Sequence, residues 1–259
     1  MSKKQKASSG EVIVDNSPKV HQRDKFSGSL KLRELPWSEK QKQLLSILED
    51  KKTKIVFVTG PAGSAKTCCA IYAALKALND KKVSDILYLR QPVESSIHNV
   101  GFLRGSLEEK IDPYQAPLDD KLSEFLSDSE INALRKDERL HTIPIGFLRG
   151  RSFNAQYIVF DEAQNGNTHD MLLVMTRLGK FSKLIITGDV SQSDIKQSAL
   201  QKVAETFDTE ESRGHGIYVF KFGKEDIFRN EVLSHVIEKF EELNSQQSPN
   251  SQEWQPRRK

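Results

Sequence analysis

Residues 55–79 constrain this chain more than any other stretch. Ile55-Val56-Phe57-Val58 is a short apolar run rich in β-branched residues, read as a buried strand. It ends at Gly60-Pro61-Ala62-Gly63-Ser64-Ala65-Lys66-Thr67, and an alanine-rich helical segment follows over 66–79. Strand, glycine-rich loop, Lys-Thr and helix make up the phosphate-loop pattern G-x-x-x-x-G-K-[ST]. Such a loop aims backbone N–H groups and a helix N-terminus at phosphate oxygens. The residues from Gly60 to Cys68 are therefore the expected nucleotide-binding segment. Lys66 is expected on the β- and γ-phosphates and the Thr67 hydroxyl on Mg²⁺. One position departs from the pattern, because Ala65 stands where glycine is usual. Alanine keeps its N–H, so the cost is small at negative φ and about 1 kcal/mol or more at positive φ.

The rest of the chain alternates short apolar strands with helices. Ser38 and Gln41 form a capping box ahead of Leu44, Leu45 and Leu48, predicting a helix over 39–50. Further strands are expected at 86–90, 157–160, 184–187 and 217–220. Helices are expected over 118–135, from the Asn167-Thr168 cap to about Leu178, and over 226–243. This alternation predicts an α/β fold, a mostly parallel sheet with helices on both faces. Ligands in such sheets sit outside the carboxyl ends of the strands.

The chemical residues follow the strands accordingly. Asp161-Glu162 end the strand Tyr157-Ile158-Val159-Phe160. Asp161 is expected to hold Mg²⁺ and Glu162 to deprotonate the attacking water. Thr187-Gly188-Asp189-Val190-Ser191-Gln192 follows another strand, placing Gln192 to sense the γ-phosphate or the water. Charge developing on a transferred phosphoryl group calls for a cation, often from a neighbouring subunit. Arg229 is the first candidate and Arg177 the second.

The 259 residues divide by composition into a basic arm at 1–33, disordered or loosely docked, one domain at 34–244, and a disordered tail at 245–259. Residues 1–54 carry 13 basic and 7 acidic side chains, against 26 and 29 in the remainder. A basic arm before a near-neutral body fits a polyanion partner, and equally a solvated tail. Arg90, Arg104, Arg149 and Arg151 are weak nucleic-acid candidates; no RNA-recognition motif with interleaved aromatics is visible. Two adjacent cysteines, Cys68 and Cys69, exclude a disulfide scaffold and point to a reducing cytoplasm. No apolar run reaches the roughly 18–20 residues of a membrane span.

Eight stretches together resemble the PhoH-like, phosphate-starvation-inducible family. They are Gly60–Thr67, Gly101–Gly105 (GFLRG), Glu109–Tyr114 (EKIDPY), Arg149–Ser152 (RGRS), Asp161–Asn165 (DEAQN), Met175–Gly179 (MTRLG), Thr187–Asp194 and Asp226–Arg229 (DIFR). They occur in the family's order over about 38–240. Ala65, Arg104, Ser152 and Phe228 depart from the family's glycine, proline, threonine and valine. The resemblance implies a RecA-like P-loop NTPase core similar to the motor core of superfamily-1 helicases. It also implies ATP and Mg²⁺ as cofactors, and a homo-oligomer, expected as a hexameric ring, in which an arginine reaches the neighbour's site. Gln41 would recognise adenine, a role in competition with its place in the capping box. Some members carry an RNase-type PIN domain; residues 1–33 are too short and polar for one. Compact versions are frequent in bacteriophages, so host cytoplasm is the expected location for a phage source.

The expected activity is Mg²⁺-dependent ATP hydrolysis coupled to RNA or single-stranded nucleic acid, as in helicase-like remodelling. The alternative is a nucleotide-gated binding module with little turnover, which Ala65 keeps open. A small-molecule kinase is a further rival, disfavoured by the DEAQ stretch and the TGDxxQ loop.

Overall fold

The computed structural model describes residues 26–91, 107–148, 152–190, 199–227 and 239. Among them six parallel strands form one sheet: β1 (Ile55–Thr59), β2 (Asp85–Arg90), β3 (Leu140–Pro144), β4 (Gln156–Asp161), β5 (Lys183–Gly188) and β6 (Ile217–Lys221), in the order β3-β2-β4-β5-β1-β6. The helices are α1 (Glu39–Glu49), α2 (Lys66–Asn79), α3 (Leu107–Phe125), α4 (Asp128–Lys136), α5 (Thr168–Met175), α6 (Ala199–Phe207) and α7 (Glu210–Gly214). This is the α/β arrangement that the alternation of elements implied, and the RecA-like core that the family resemblance implied. β1, which leads into the glycine-rich loop, is separated from β4 by β5.

Each strand's alternation sorts its side chains between two cores. Val56, Val58, Ile86, Tyr88, Tyr157, Val159 and Ile185 point to one face, against α1, α2, α3 and α4. Ile55, Phe57, Leu87, Leu89, Ile158, Phe160, Leu184 and Ile186 point to the other, against α5 and α6. Both faces are covered, which is why β1, β2, β4 and β5 read as unbroken apolar runs. Continuing the period of two past Tyr157 and Val159 puts Asp161 on the α2 face, and past Ile185 it puts Thr187 there.

The expected helix over 118–135 is two helices. α3 stops at Phe125, and Ser127 opens α4 with its N–H and hydroxyl both donating to Glu130 Oε2, at 3.0 and 2.7 Å. This is a second capping box, and its Ser-x-x-Glu spacing is readable in the sequence. α5 ends at Met175, three residues short of the expected limit, where Thr176 Oγ1 donates back to the Leu172 carbonyl at 2.7 Å. β3 is a half-buried edge strand, LHTIP, with no apolar run to mark it. The expected helix over 226–243 lies almost wholly outside the described residues; Lys224–Asp226 form a single 3-10 turn.

Ordered packing reaches further back than the expected boundary at residue 34. Phe26 and Leu30 are buried in the α-helical core. The Leu30 N–H donates to Asn79 Oδ1 at 2.8 Å, and the Arg33 N–H to the Phe125 carbonyl at 3.0 Å. The Arg33 guanidinium also donates to the carbonyls of Ser123 and Leu126, both at 3.1 Å. Among the described residues no helix is long and apolar enough to cross a membrane.

Candidate nucleotide site

A cleft of about 420 Å³ opens at the carboxyl ends of β1, β2, β4 and β5. The loop after β1 forms one wall. Gly60 has φ +151°, and a Cβ there would lie 2.6 Å from Phe222 Cβ, so only glycine fits beneath the segment that follows β6. Gly63 has φ +88°. Ser64 is fully buried, with its N–H and hydroxyl donating to the Pro61 carbonyl at 3.3 and 2.8 Å. The loop is thereby folded on itself, with the N-terminus of α2 opening into the cleft. Lys66 curls over it, donating to the carbonyls of Gly60 and Pro61 at 2.7 and 2.8 Å.

Ala65 takes the costly alternative. Its φ and ψ are +63° and +25°, the left-handed region, and it serves as the N-cap of α2 with no side-chain hydrogen bond. A β-carbon in that region costs roughly 1–2 kcal/mol. Glu162, on the opposite wall, is also left-handed, with φ +54° and ψ +38°. Two non-glycine residues in this region on facing walls mark the cleft as a place where backbone geometry is held against local preference.

Asp161 is the convergence point. The hydroxyls of Thr67 and Thr187 both donate to its Oδ1 at 2.7 Å, and Tyr88 donates to Oδ2 at 2.6 Å. Only 6% of Asp161 is exposed. Burial, and then the neighbouring Asp161 charge, push the Tyr88 hydroxyl well above its ordinary range, so it remains a donor. Glu162 accepts from Gln164 Nε2 at 2.5 Å. Gln164 Oε1 accepts the Asp189 N–H at 3.1 Å, and Asp189 Oδ2 accepts the Ala62 N–H at 2.8 Å. A chain of hydrogen bonds therefore runs from Glu162 through Gln164 and Asp189 to the phosphate loop. Gly188 allows it: a Cβ there would lie 2.6 Å from Gln164 Oε1.

The donor set suits a magnesium nucleotide. Mg²⁺ keeps several waters and takes one or two protein oxygens beside phosphate. Thr67 and Asp161 are already within hydrogen-bonding distance of each other. Among the described residues no group of three or more His, Cys, Asp or Glu forms a self-sufficient metal cage.

Several expected residues sit elsewhere, or do more than was expected. Arg90, read as a weak nucleic-acid contact, lines the nucleotide cleft and is the register partner of Asp161. Gln41 is 3% exposed and outside the cleft lining, and its Oε1 accepts the Ser38 N–H at 3.0 Å. In this arrangement the capping role occupies the side chain. Arg177, at the end of α5, is not among the cleft residues, and its Nε is enclosed without a hydrogen-bond partner. Cys68 lines the cleft and its thiol donates to Glu124 Oε2 at 3.1 Å. Burial, with that carboxylate, pushes the thiol far above its ordinary range. Arg104, Arg149, Arg151, Gln192 and Arg229 lie outside the described residues. The sequence reading missed Tyr88, Thr187 and Gln164 as site residues, and the wall that Pro117, Asp120, Lys121 and Glu124 supply from α3. Gln164 and Thr187 carried a signal, through their places in the DEAQN stretch and in Thr187–Asp194.

Comparison with known proteins shows the family. The family model described as PhoH-like protein matches residues 35–241. The PhoH-like protein of Bacillus subtilis is 35% identical over 195 residues, covering 75% of this chain and 60% of the relative. That of Mycobacterium leprae is 37% identical over 188 residues, covering 73% and 53%. Protein PhoH of Escherichia coli K12 is 33% identical over 205 residues, covering 77% and 56%. The chain thus spans a little over half the length of the curated relatives it matches. Among solved structures, the Pif1 helicase from Candida albicans aligns with a TM-score of 0.40 at 15% identity, covering 81% of this chain and 44% of that one. With a family match over most of its length and a phosphate loop built on a parallel sheet, the chain belongs to the PhoH-like family and has the core of a P-loop NTPase.

Proposed function

We propose that this protein is a Mg²⁺-dependent ATPase whose turnover is coupled to RNA or single-stranded nucleic acid, working as a homo-oligomeric ring in the cytoplasm. The observation that carries the reading is Asp161. Three hydroxyls from the phosphate-loop helix, β2 and β5 converge on it, and Glu162 stands beside it.

In this reading the N–H groups from Gly63 to Thr67 and the Lys66 ammonium hold the phosphates. Thr67 and Asp161 would hold Mg²⁺, which when bound would supply charge neutralisation for the phosphates. Glu162 takes the proton from the attacking water, held in position by Gln164. Arg90 faces the phosphates from the same chain. Gln192 reads the γ-phosphate, and Arg229 completes the site from a neighbouring subunit. Arg104, Arg149, Arg151 and the basic arm make the nucleic-acid contacts, and their affinity falls steeply with salt.

Phosphate release from ATP and Mg²⁺, with and without single-stranded RNA, tests the reading. Turnover is expected to rise with RNA, and Glu162→Gln is expected to abolish it while ATP still binds. Normal hydrolysis by Glu162→Gln would remove Glu162 from its role. The left-handed Ala65 favours a second reading, a nucleotide-gated binding module with little turnover. Tight ATP binding without phosphate release, restored to turnover by Ala65→Gly, would select it.

A further inference from the structure

A second cavity, about 280 Å³, opens at the other end of the sheet, where the strands begin. Thr53 and Lys54 precede β1, Val83 precedes β2, Tyr157 lies near the start of β4, and Lys183 opens β5. The last turns of α1 and α2 close the throat with Leu48, Ala73 and Ala77. The phosphate loop lies at the opposite end of β1, a separation of roughly 17 Å at about 3.3 Å per strand residue. The two cavities share no residue.

The chemistry of this second cavity is of one sign. Five lysines line it, with Glu49 as its one carboxylate. Glu49 is engaged by Lys76 at 2.8 Å. Lys82 has Asp80 nearby at 2.8 Å, while Lys51, Lys54 and Lys183 add further positive charge at the rim. Burial, reinforced by Lys54 and Lys82 and opposed by Asp50, holds the Lys183 ammonium down to about 8. An anion at the rim would relieve that crowding.

Below the lysines the lining is apolar except for three hydroxyl residues, of which Ser182 is satisfied by the Phe153 carbonyl at 2.8 Å. The hydroxyls of Thr53 and Tyr157 are shut off from solvent without a hydrogen-bond partner. Each residue is 1% exposed. Buried hydroxyls are almost always paired. At the mouth stands Phe181, 71% exposed and held at φ +61°. Phe181 is one of three large exposed hydrophobic side chains among the described residues, with Phe147 and Leu172, and of these three it alone lines either cavity.

We propose that this cavity is a second binding site, separate from the phosphate-loop cleft, that takes one nucleotide unit. Its phosphate rests on the lysine rim, its base enters the apolar throat toward Thr53 and Tyr157, and Phe181 covers the base at the mouth. The two unpaired hydroxyls on the lining residues favour a ligand with hydrogen-bonding atoms at its buried end, which a heteroaromatic base has and an alkyl chain lacks. At about 280 Å³ the cavity stands at the small end of ligand pockets, which limits the ligand to one such unit. The unit is either a free mononucleotide or one residue of a nucleic-acid strand, since both present the same base and phosphate.

Titration calorimetry of the full chain with AMP, UMP and an eight-nucleotide RNA separates the outcomes. The measurements are made on Lys66→Ala protein, so that the phosphate-loop cleft is weakened, and no turnover is read. Binding is expected to persist in that background. It is expected to fall at least tenfold in Lys54→Ala/Lys82→Ala and severalfold in Phe181→Ala. All three side chains are exposed, so their removal leaves the core intact. Lys183 is left unaltered because its Nζ donates to the carbonyls of Leu48 and Asp50, at 2.5 and 2.8 Å. A mononucleotide that binds as tightly as the RNA identifies the free ligand. RNA binding at least tenfold tighter, lost in the same variants, identifies a strand. Absence of binding by all three probes overturns the proposal, as does binding indifferent to both sets of substitutions. Hexanoate binding as tightly as AMP would overturn the nucleotide assignment.

Discussion

The Tyr88 hydroxyl donates to Asp161 Oδ2 at 2.6 Å, so a residue of the sheet core holds the carboxylate that faces the phosphate loop. Tyr88 is fully buried, three residues beyond the start of β2 at Asp85, and no motif contains it. Tyr88→Phe keeps the ring and removes only the donor. An acceptor left short in a buried site costs about 1–3 kcal/mol, which denaturant unfolding would register. Loss of a positioning bond to a metal-binding carboxylate is expected to raise the half-saturating Mg²⁺ concentration about tenfold. Unchanged stability and unchanged Mg²⁺ dependence would show that Asp161 is held by Thr67 and Thr187 alone.

Ala65→Gly is expected to stabilise the protein, as glycine is preferred to alanine at a helix N-cap. Relief of the left-handed alanine is worth roughly 1–2 kcal/mol. The added chain entropy of glycine takes back about 0.5–1 kcal/mol. A net gain near 0.5–1 kcal/mol remains, visible as a rise in Tm. ATP affinity is expected to rise with it, because the loop no longer works against Ala65. A fall in Tm would mean that the Ala65 methyl makes packing contacts worth more than the strain.

Gln164→Glu tests the hydrogen-bond chain between Glu162 and the phosphate loop. It replaces a donor 2.5 Å from Glu162 with a second carboxylate. Like charges at that distance raise a carboxyl pKa. If Glu162 is the base, the acid limb of the kcat–pH profile moves to higher pH and kcat near neutrality falls about tenfold or more. A role confined to structure would lower Tm without moving that limb.

Lys183 sets a pH dependence of stability. Its proton leaves near pH 8 in the folded protein, against an ordinary value of 10.5. Between those two values unfolding takes up a proton, so stability from this group rises with pH across the window. Below about 8 both states are protonated and the contribution is flat at its lowest. The buried tyrosine and cysteine hydrogens act in the opposite sense at high pH, so the comparison is with Lys183→Met. From pH 7.5 to 9.5 the wild type is expected to gain stability relative to that variant in urea unfolding. Parallel curves would mean that Lys183 stays protonated throughout.

The parts of this molecule readable in its sequence are those fixed by short-range chemistry. β1, β2, β4 and β5 are apolar because both their faces are covered, and the acids follow them directly. The phosphate loop and α2 are local in the same way. What escaped depends on contacts far apart in sequence. Leu30 is ordered by Asn79, 49 positions away. Tyr88 reaches Asp161 across 73 positions, and Ala62 reaches Asp189 across 127. β3 was lost because its interior is only half covered, and α3 from its cleft-lining turn because its residues are as polar as any surface helix. Ala65 was an undecided case in the sequence, and its φ of +63° decides it.

The placement of β5 between β1 and β4 sets a dimension. Neighbouring strands stand about 4.8 Å apart, so the strand that carries the phosphate loop and the strand that carries the acids are about 9.6 Å apart. That interval belongs to the hydrogen-bond lattice of the sheet and is independent of the length of any loop above it. Insertions in the surface loops would leave it unchanged. A two-residue slip of β4 against its neighbours would keep every side chain on its face yet carry Asp161 and Glu162 nearly 7 Å along the strand direction, at about 3.3 Å per residue. The working distance of this site is in that sense a ruler division, and register is what keeps the ruler aligned.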